Sequence, residues 1–160
     1  MSGNAEADAF KLEGNEKYKV GDYAAAEELY SKALELVPEW VPVIGNRAAA
    51  RLMAKKYKES LSDCKRALSL DSSYVKGYLR GGKCYMQLGN FQAARYNYNK
   101  VLEREPKNRS ASEEIRLLDR VEDDLAQARA NVTNERYSNA LRLYSSVLER
   151  CENVAVARLG

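Results

Sequence analysis

Residues 10–38 read FKLEGNEKYKVGDYAAAEELYSKALELVP, and the fold is decided by sliding this stretch along the chain in steps of 34 positions. Phe10 falls on Ile44 and Tyr78, Gly14 on Ala48 and Gly82, and Tyr23 on Tyr57 and Phe91. Ala26 falls on Ser60 and Ala94, Tyr30 on Cys64 and Tyr98, Ala33 on Ala67 and Val101, and Pro38 on Ser72 and Pro106. No gap is needed, so residues 7–40, 41–74 and 75–108 are three copies of one supersecondary unit.

Each unit reads as two helices. The first carries apolar residues at three- and four-residue steps, and the second opens at the aromatic that follows Gly21-Asp22 or Gly89-Asn90. Gly14, Ala48 and Gly82 are expected to face Ala26 and its equivalents, where small residues on both sides let two helix axes approach closely. Pro38 and Pro106 then end the second helix, because proline has no N–H to give to a helix interior.

Beyond Pro106 the period breaks, since the next aromatic of this kind, Tyr137, lies 46 residues past Phe91. Ile115, Leu118, Val121, Leu125, Ala128 and Val132 recur at helical spacing and predict one long helix from about 109 to 133. Tyr137, Ala140, Tyr144 and Val147 keep the spacing of a second helix, so residues 109–160 read as a long helix plus a degenerate fourth repeat. Val154, Ala155, Val156, Ala157 and Leu159 read as the opening of a fifth unit cut short. The array is expected to present an apolar patch there, formed by Leu141, Tyr144, Val147 and Leu148.

Composition agrees with an all-helical chain: among 160 residues there are only three prolines and nine glycines, with 31% charged residues. The net charge of +3 is too small to argue for nucleic acid. It is unevenly spread: residues 41–108 hold 14 basic and five acidic side chains, whereas residues 1–40 hold four and nine. The middle of the chain calls for an acidic partner. Three cysteines without CxxC spacing, and no histidine, leave a zinc site or a Cys–His nucleophile without parts. No Gly-rich phosphate loop is present, so no cofactor, metal or catalytic residue is expected and the reading is not an enzyme. No apolar run reaches membrane-spanning length and the polar start lacks a signal-peptide core, which points to the cytoplasm with the thiols reduced.

The residues that carry function lie on first helices. Lys76 and Arg80 are four apart and so project from one face, as do Lys11 and Asn15, and Asn46 sits on the first helix of the next unit. Five cationic or amide donors can thus converge on one anionic ligand. Any one of them alone is an ordinary solvated side chain; the set is what points to a peptide-carboxylate site. Trp40, in the turn after Pro38, reads as a structural plug, and Gly77, Gly81 and Gly82 mark close packing or close approach of a ligand.

A 34-residue helix pair with Gly14, Tyr23, Ala26, Tyr30, Ala33 and Pro38 at these places resembles the tetratricopeptide repeat. The resemblance implies a superhelix of antiparallel helix pairs whose groove is lined by first helices. It departs in the second unit, where Ser60, Cys64 and Ser72 replace the usual residues. The segments Phe10-Lys11-Leu12-Glu13-Gly14-Asn15, Gly45-Asn46-Arg47-Ala48 and Val75-Lys76-Gly77-Tyr78-Leu79-Arg80 resemble those of heat-shock co-chaperones. In that subset five residues clamp the C-terminal Glu-Glu-Val-Asp of heat-shock protein 70 or 90. By the resemblance, Lys11, Asn15, Asn46 and Lys76 would hold the terminal carboxylate and the aspartate side chain, with Arg80 further along and Ala49 and Met53 against the valine. The likeness to cytosolic DnaJ-type co-chaperones implies further repeats and a J domain downstream. The chain also resembles two other members of the family: the repeat domain of a serine/threonine phosphatase, and the client-binding array of an endoplasmic-reticulum J-protein.

Overall fold

The structure, a computed structural model, describes residues 2–133 and 137–151. Among them every regular element is helical: α1 (Ala5–Lys19), α2 (Tyr23–Leu36), α3 (Val41–Met53), α4 (Tyr57–Leu70), α5 (Val75–Gln87), α6 (Phe91–Arg104), α7 (Arg109–Thr133) and α8 (Tyr137–Arg150). The second helix of each of the three full repeats starts on the aromatic that the 34-residue step singled out. The chain divides into two compact units, Met1–Cys84 and Tyr85–Gly160.

Local chemistry sets the helix ends of the first unit. Asn4 caps α1 by accepting from the Ala7 N–H at 3.0 Å, and Asp22 caps α2 by accepting from Ala25 at 3.1 Å. Between them Gly21 turns left-handed with φ +81°, and the Asp22 N–H returns to the Lys17 carbonyl at 2.9 Å. The same closure joins α3 to α4, but there the left-handed residue is Lys55 with φ +60°. Its neighbour Lys56 makes no side-chain cap and sends its ammonium 3.0 Å to Glu27 instead.

The core of this unit is formed by Ala26, Tyr30, Ala33, Leu34, Val43, Ile44, Ala50 and Ala67, with Phe10, Tyr18, Trp40, Val41, Leu70 and Tyr74 packed around it. At Gly14 the Tyr30 ring comes close: a methyl there would lie 2.7 Å from it, so the glycine makes room for that ring. Ser60, the counterpart of Ala26, is fully buried and satisfied, its hydroxyl donating to the Ala48 carbonyl at 2.7 Å. Gly77 is a packing residue, since a methyl there would sit 3.0 Å from Leu68 and 3.2 Å from the Tyr74 ring.

An ion-pair network ties α2, α3 and α4. Arg47 forms a two-pronged pair with the buried Asp63 at 3.0 and 2.8 Å and also reaches Ser31 at 3.2 Å. Arg51 joins the same carboxylate at 2.9 Å and Glu27 at 3.0 Å. Burial by itself would raise the Glu27 pKa, but the hydrogen bonds from Lys56 and Arg51 outweigh it and hold the group below its ordinary 4.5. Part of the basic excess of the middle segment is therefore spent internally.

In the second unit α7 is unbroken over 25 residues, as the helical spacing predicted. It buries Leu118, Val121, Leu125 and Ala128, while α6 buries Ala94, Tyr98 and Val101, and α8 buries Ala140 and Val147. Asn108 caps α7 by accepting from Ala111 at 2.9 Å. Arg95 bridges α6 to Asp119 and Glu122 of α7 at 2.7 and 2.6 Å, and Arg150 of α8 pairs with Asp124. Leu141 and Leu148 are exposed on α8, whereas Val147 is buried. The apolar run Val154–Leu159 lies outside the described residues.

Candidate functional site

Asn15, Asn46 and Arg80 come together around one cleft of about 300 Å³. Leu12, Glu16, Tyr18, Lys19, Tyr30 and Ala49 complete its walls. Helices α1, α3 and α5 supply the three polar residues, one from each first helix, and α2 supplies the tyrosine that orients Asn15.

The Tyr30 hydroxyl donates to Asn15 Oδ1 at 2.8 Å, and Asn46 Nδ2 donates to the same oxygen at 3.3 Å. Both lone pairs of that oxygen are used, so Asn15 has its amide N–H groups left to offer. Burial pushes the Tyr30 hydroxyl up to about 12, so at neutral pH it remains a donor and the orientation of Asn15 is fixed. Arg80 is held just as firmly. Its Nη1 donates to the Gly45 carbonyl at 2.7 Å and to the Tyr74 hydroxyl at 3.3 Å. Gly45 permits this, because a methyl there would lie 2.7 Å from Tyr74 Cζ and closer still to the hydroxyl oxygen.

The other expected residues are placed differently. The Lys11 ammonium sits 5.1 Å from the centre of the Trp40 ring and does not line the cleft. Lys76 is exposed on the first turn of α5. Ala49 is buried in the cleft wall, whereas Met53 is 50% exposed and outside it. Lys19 and Glu16, at the rim, pair with each other at 2.8 Å.

Four residues that position the site were not singled out from sequence as part of it: Tyr30, Gly45, Tyr74 and Trp40. A signal for two of them was present. Trp40 and Tyr74 are themselves 34 apart, and each touches the residue 29 positions before it, Lys11 or Gly45. Chemically, the cleft presents N–H donors on fixed supports beside an apolar wall. That suits an acceptor-rich anion followed by a small apolar group. Among the described residues no helix is long and apolar enough to cross a membrane.

The family described as tetratricopeptide repeat matches residues 11–75 and 76–108. Human DnaJ homolog subfamily C member 7 is 40% identical over 111 residues, which are 69% of this chain and 22% of that protein. The chain thus spans about a fifth of that relative's length. Among solved structures, the first TPR of Spaghetti (RPAP3) bound to the HSP90 peptide SRMEEVD is 35% identical with a TM-score of 0.69. The match covers 71% of this chain and 90% of that one. The second TPR domain of human RPAP3 in complex with the HSP70 peptide SGPTIEEVD is 33% identical with a TM-score of 0.68, covering 71% and 95%.

Proposed function

Because the chain belongs to the tetratricopeptide repeat family, whose stacked helix pairs form surfaces for extended peptides, we propose that it is a co-chaperone module. It clamps the C-terminal Glu-Glu-Val-Asp of heat-shock protein 70 or 90. The three repeats 7–108 form the binding part and residues 109–160 a further, degenerate repeat. The module binds and does not catalyse, and it works in the cytoplasm, in keeping with the three free, buried thiols.

The observation that carries this reading is the convergence of Asn15, Asn46 and Arg80 on one cleft. The two similar domains named above were solved with peptides ending in the same four residues. In our reading Asn15 and Asn46 give directed hydrogen bonds to the terminal carboxylate, and Lys11, from its place over the Trp40 ring, and Lys76 neutralise it. Arg80 bonds further along the peptide, and the valine lies against Ala49 with Met53 beyond. Loss of hydration by two carboxylates is offset only if each receives such charge-assisted bonds.

Titration calorimetry with Ser-Arg-Met-Glu-Glu-Val-Asp tests the proposal. A micromolar Kd, about −7 to −8 kcal/mol, is expected for the free acid. Arg80→Ala should lose about 1.5–3 kcal/mol. If C-terminal amidation and Lys11→Ala both leave affinity unchanged, the clamp reading is wrong.

A further inference from the structure

Trp40 and Tyr74 occupy one register position, the residue before a first helix, and the third residue in that register is Asn108. Asn108 does what such a position ordinarily does, capping α7 with its side-chain oxygen. Trp40 precedes α3 and makes no side-chain cap. Its indole has no acceptor to offer, and Tyr74 likewise carries its oxygen at the far end of a ring. Each aromatic gives up the capping bond and instead meets a cation of the candidate site. The Lys11 ammonium lies over the Trp40 ring at 5.1 Å, and the Tyr74 hydroxyl accepts from Arg80 at 3.3 Å.

We infer that Trp40 and Tyr74 are positioning residues for two of the three cations of the peptide site, Lys11 and Arg80. The inference rests on the clamp reading for its ligand. Trp40 is itself immobilised: its carbonyl accepts from the Val43 and Ile44 N–H groups, both at 3.0 Å, and its ring packs on the core. A lysine is otherwise a flexible four-carbon stem, and freezing it on binding weakens the ligand. An ammonium over an aromatic face is attracted by the ring quadrupole, which restricts the stem before a peptide arrives. Its N–H groups on the side away from the ring remain able to donate to a carboxylate. Tyr74 does the equivalent for Arg80: it takes one donor of the guanidinium fork, with the Gly45 carbonyl, and leaves the other N–H groups to the peptide.

Two measurements decide the matter. In the peptide-free protein, the Lys11 Hε protons should be shifted upfield by the indole in NMR spectra, and Trp40→Leu should return them to ordinary values while Trp40→Phe keeps part of the shift. In titrations with Ser-Arg-Met-Glu-Glu-Val-Asp, Trp40→Leu should weaken binding about 3- to 10-fold, Trp40→Phe less, and Tyr74→Phe about 2- to 5-fold. For the Trp40 variants the amidated peptide should be affected less than the acid. An unshifted Lys11 in the wild type overturns the inference, as does equal weakening of acid and amide by Trp40→Leu, which would make that ring a plain structural plug, or unchanged binding by Tyr74→Phe. If the wild type shows no preference for the acid, the clamp reading fails, and the Lys11 shift still reports whether the ring holds the ammonium.

Discussion

Gly45→Ala sets two opposed effects against each other at the site. In a helix interior, alanine is favoured over glycine by about 1 kcal/mol, so propensity alone predicts a more stable protein. Sterics oppose it. The new methyl would stand 2.7 Å from Tyr74 Cζ and 2.8 Å from Cε1, with the hydroxyl oxygen nearer still. Ordinary contact begins near 3.4 Å, so the ring carbons must retreat by most of an ångström and the hydroxyl by more. It cannot do so freely, since the ring packs on the core. Overpacking of this kind costs about 1–3 kcal/mol, and loss of the Tyr74–Arg80 hydrogen bond adds about 1 kcal/mol. Net destabilisation of about 1–3 kcal/mol is expected in urea unfolding followed by far-UV circular dichroism. Tyr74→Leu in the Gly45→Ala background should recover part of the loss, with a coupling of at least about 1 kcal/mol between the two sites. Stabilisation of Gly45→Ala by the propensity value would refute the argument, because it would mean that the tyrosine is not wedged against this glycine.

Asp63→Ala should destabilise by about 2–4 kcal/mol in the same assay, because it strips two arginines of a buried partner. Lys55→Gly should stabilise by about 0.5–1 kcal/mol, measured as a shift in the urea midpoint at constant m, since a lysine now holds a left-handed φ of +60° where the flanking repeats use glycine. Glu27 has a folded pKa below its unfolded value, so its contribution is present above about pH 4.5 and is lost as the pH falls through the folded pKa. Glu27→Gln should accordingly flatten the acid limb of the stability–pH curve below pH 4.5 and lower stability near neutrality.

The fold was legible because a fixed step of 34 residues survives any uncertainty about single elements, and because the aromatic, glycine and proline positions each have a local physical cause. The long α7 was legible for the same reason, its apolar stripe running unbroken from Ile115 to Val132 along a helix of 25 residues. The site was legible at the level of which helices face it: Asn15, Asn46 and Arg80 do converge. Contacts between side chains of different helices were not legible. The approach of the Tyr30 ring to Gly14 depends on the rotation of α2 about its own axis, and the seating of the Lys11 ammonium over Trp40 depends on competition between a ring and solvent. The Arg47–Asp63–Arg51–Glu27 network has no counterpart at the 34-residue step, so the repeat could not announce it. Lys55 shows the converse: its left-handed turn could have been read from the glycines at 21 and 89, against the local preference of lysine.

The doubly occupied oxygen of Asn15 has a bearing on what the cleft can tell apart. With Tyr30 and Asn46 both donating into it, the amide cannot flip to greet a donor without breaking two bonds at once. The cleft is therefore polarised before any peptide enters, and it sorts chain ends by the direction of their hydrogen bonds as well as by their charge. A C-terminal methyl ester and a C-terminal amide are equally neutral, yet the ester only accepts while the amide brings two N–H groups to a wall of donors. Discrimination of this kind does not fade with ionic strength as Coulomb attraction does, so the ester should outrank the amide even in concentrated salt.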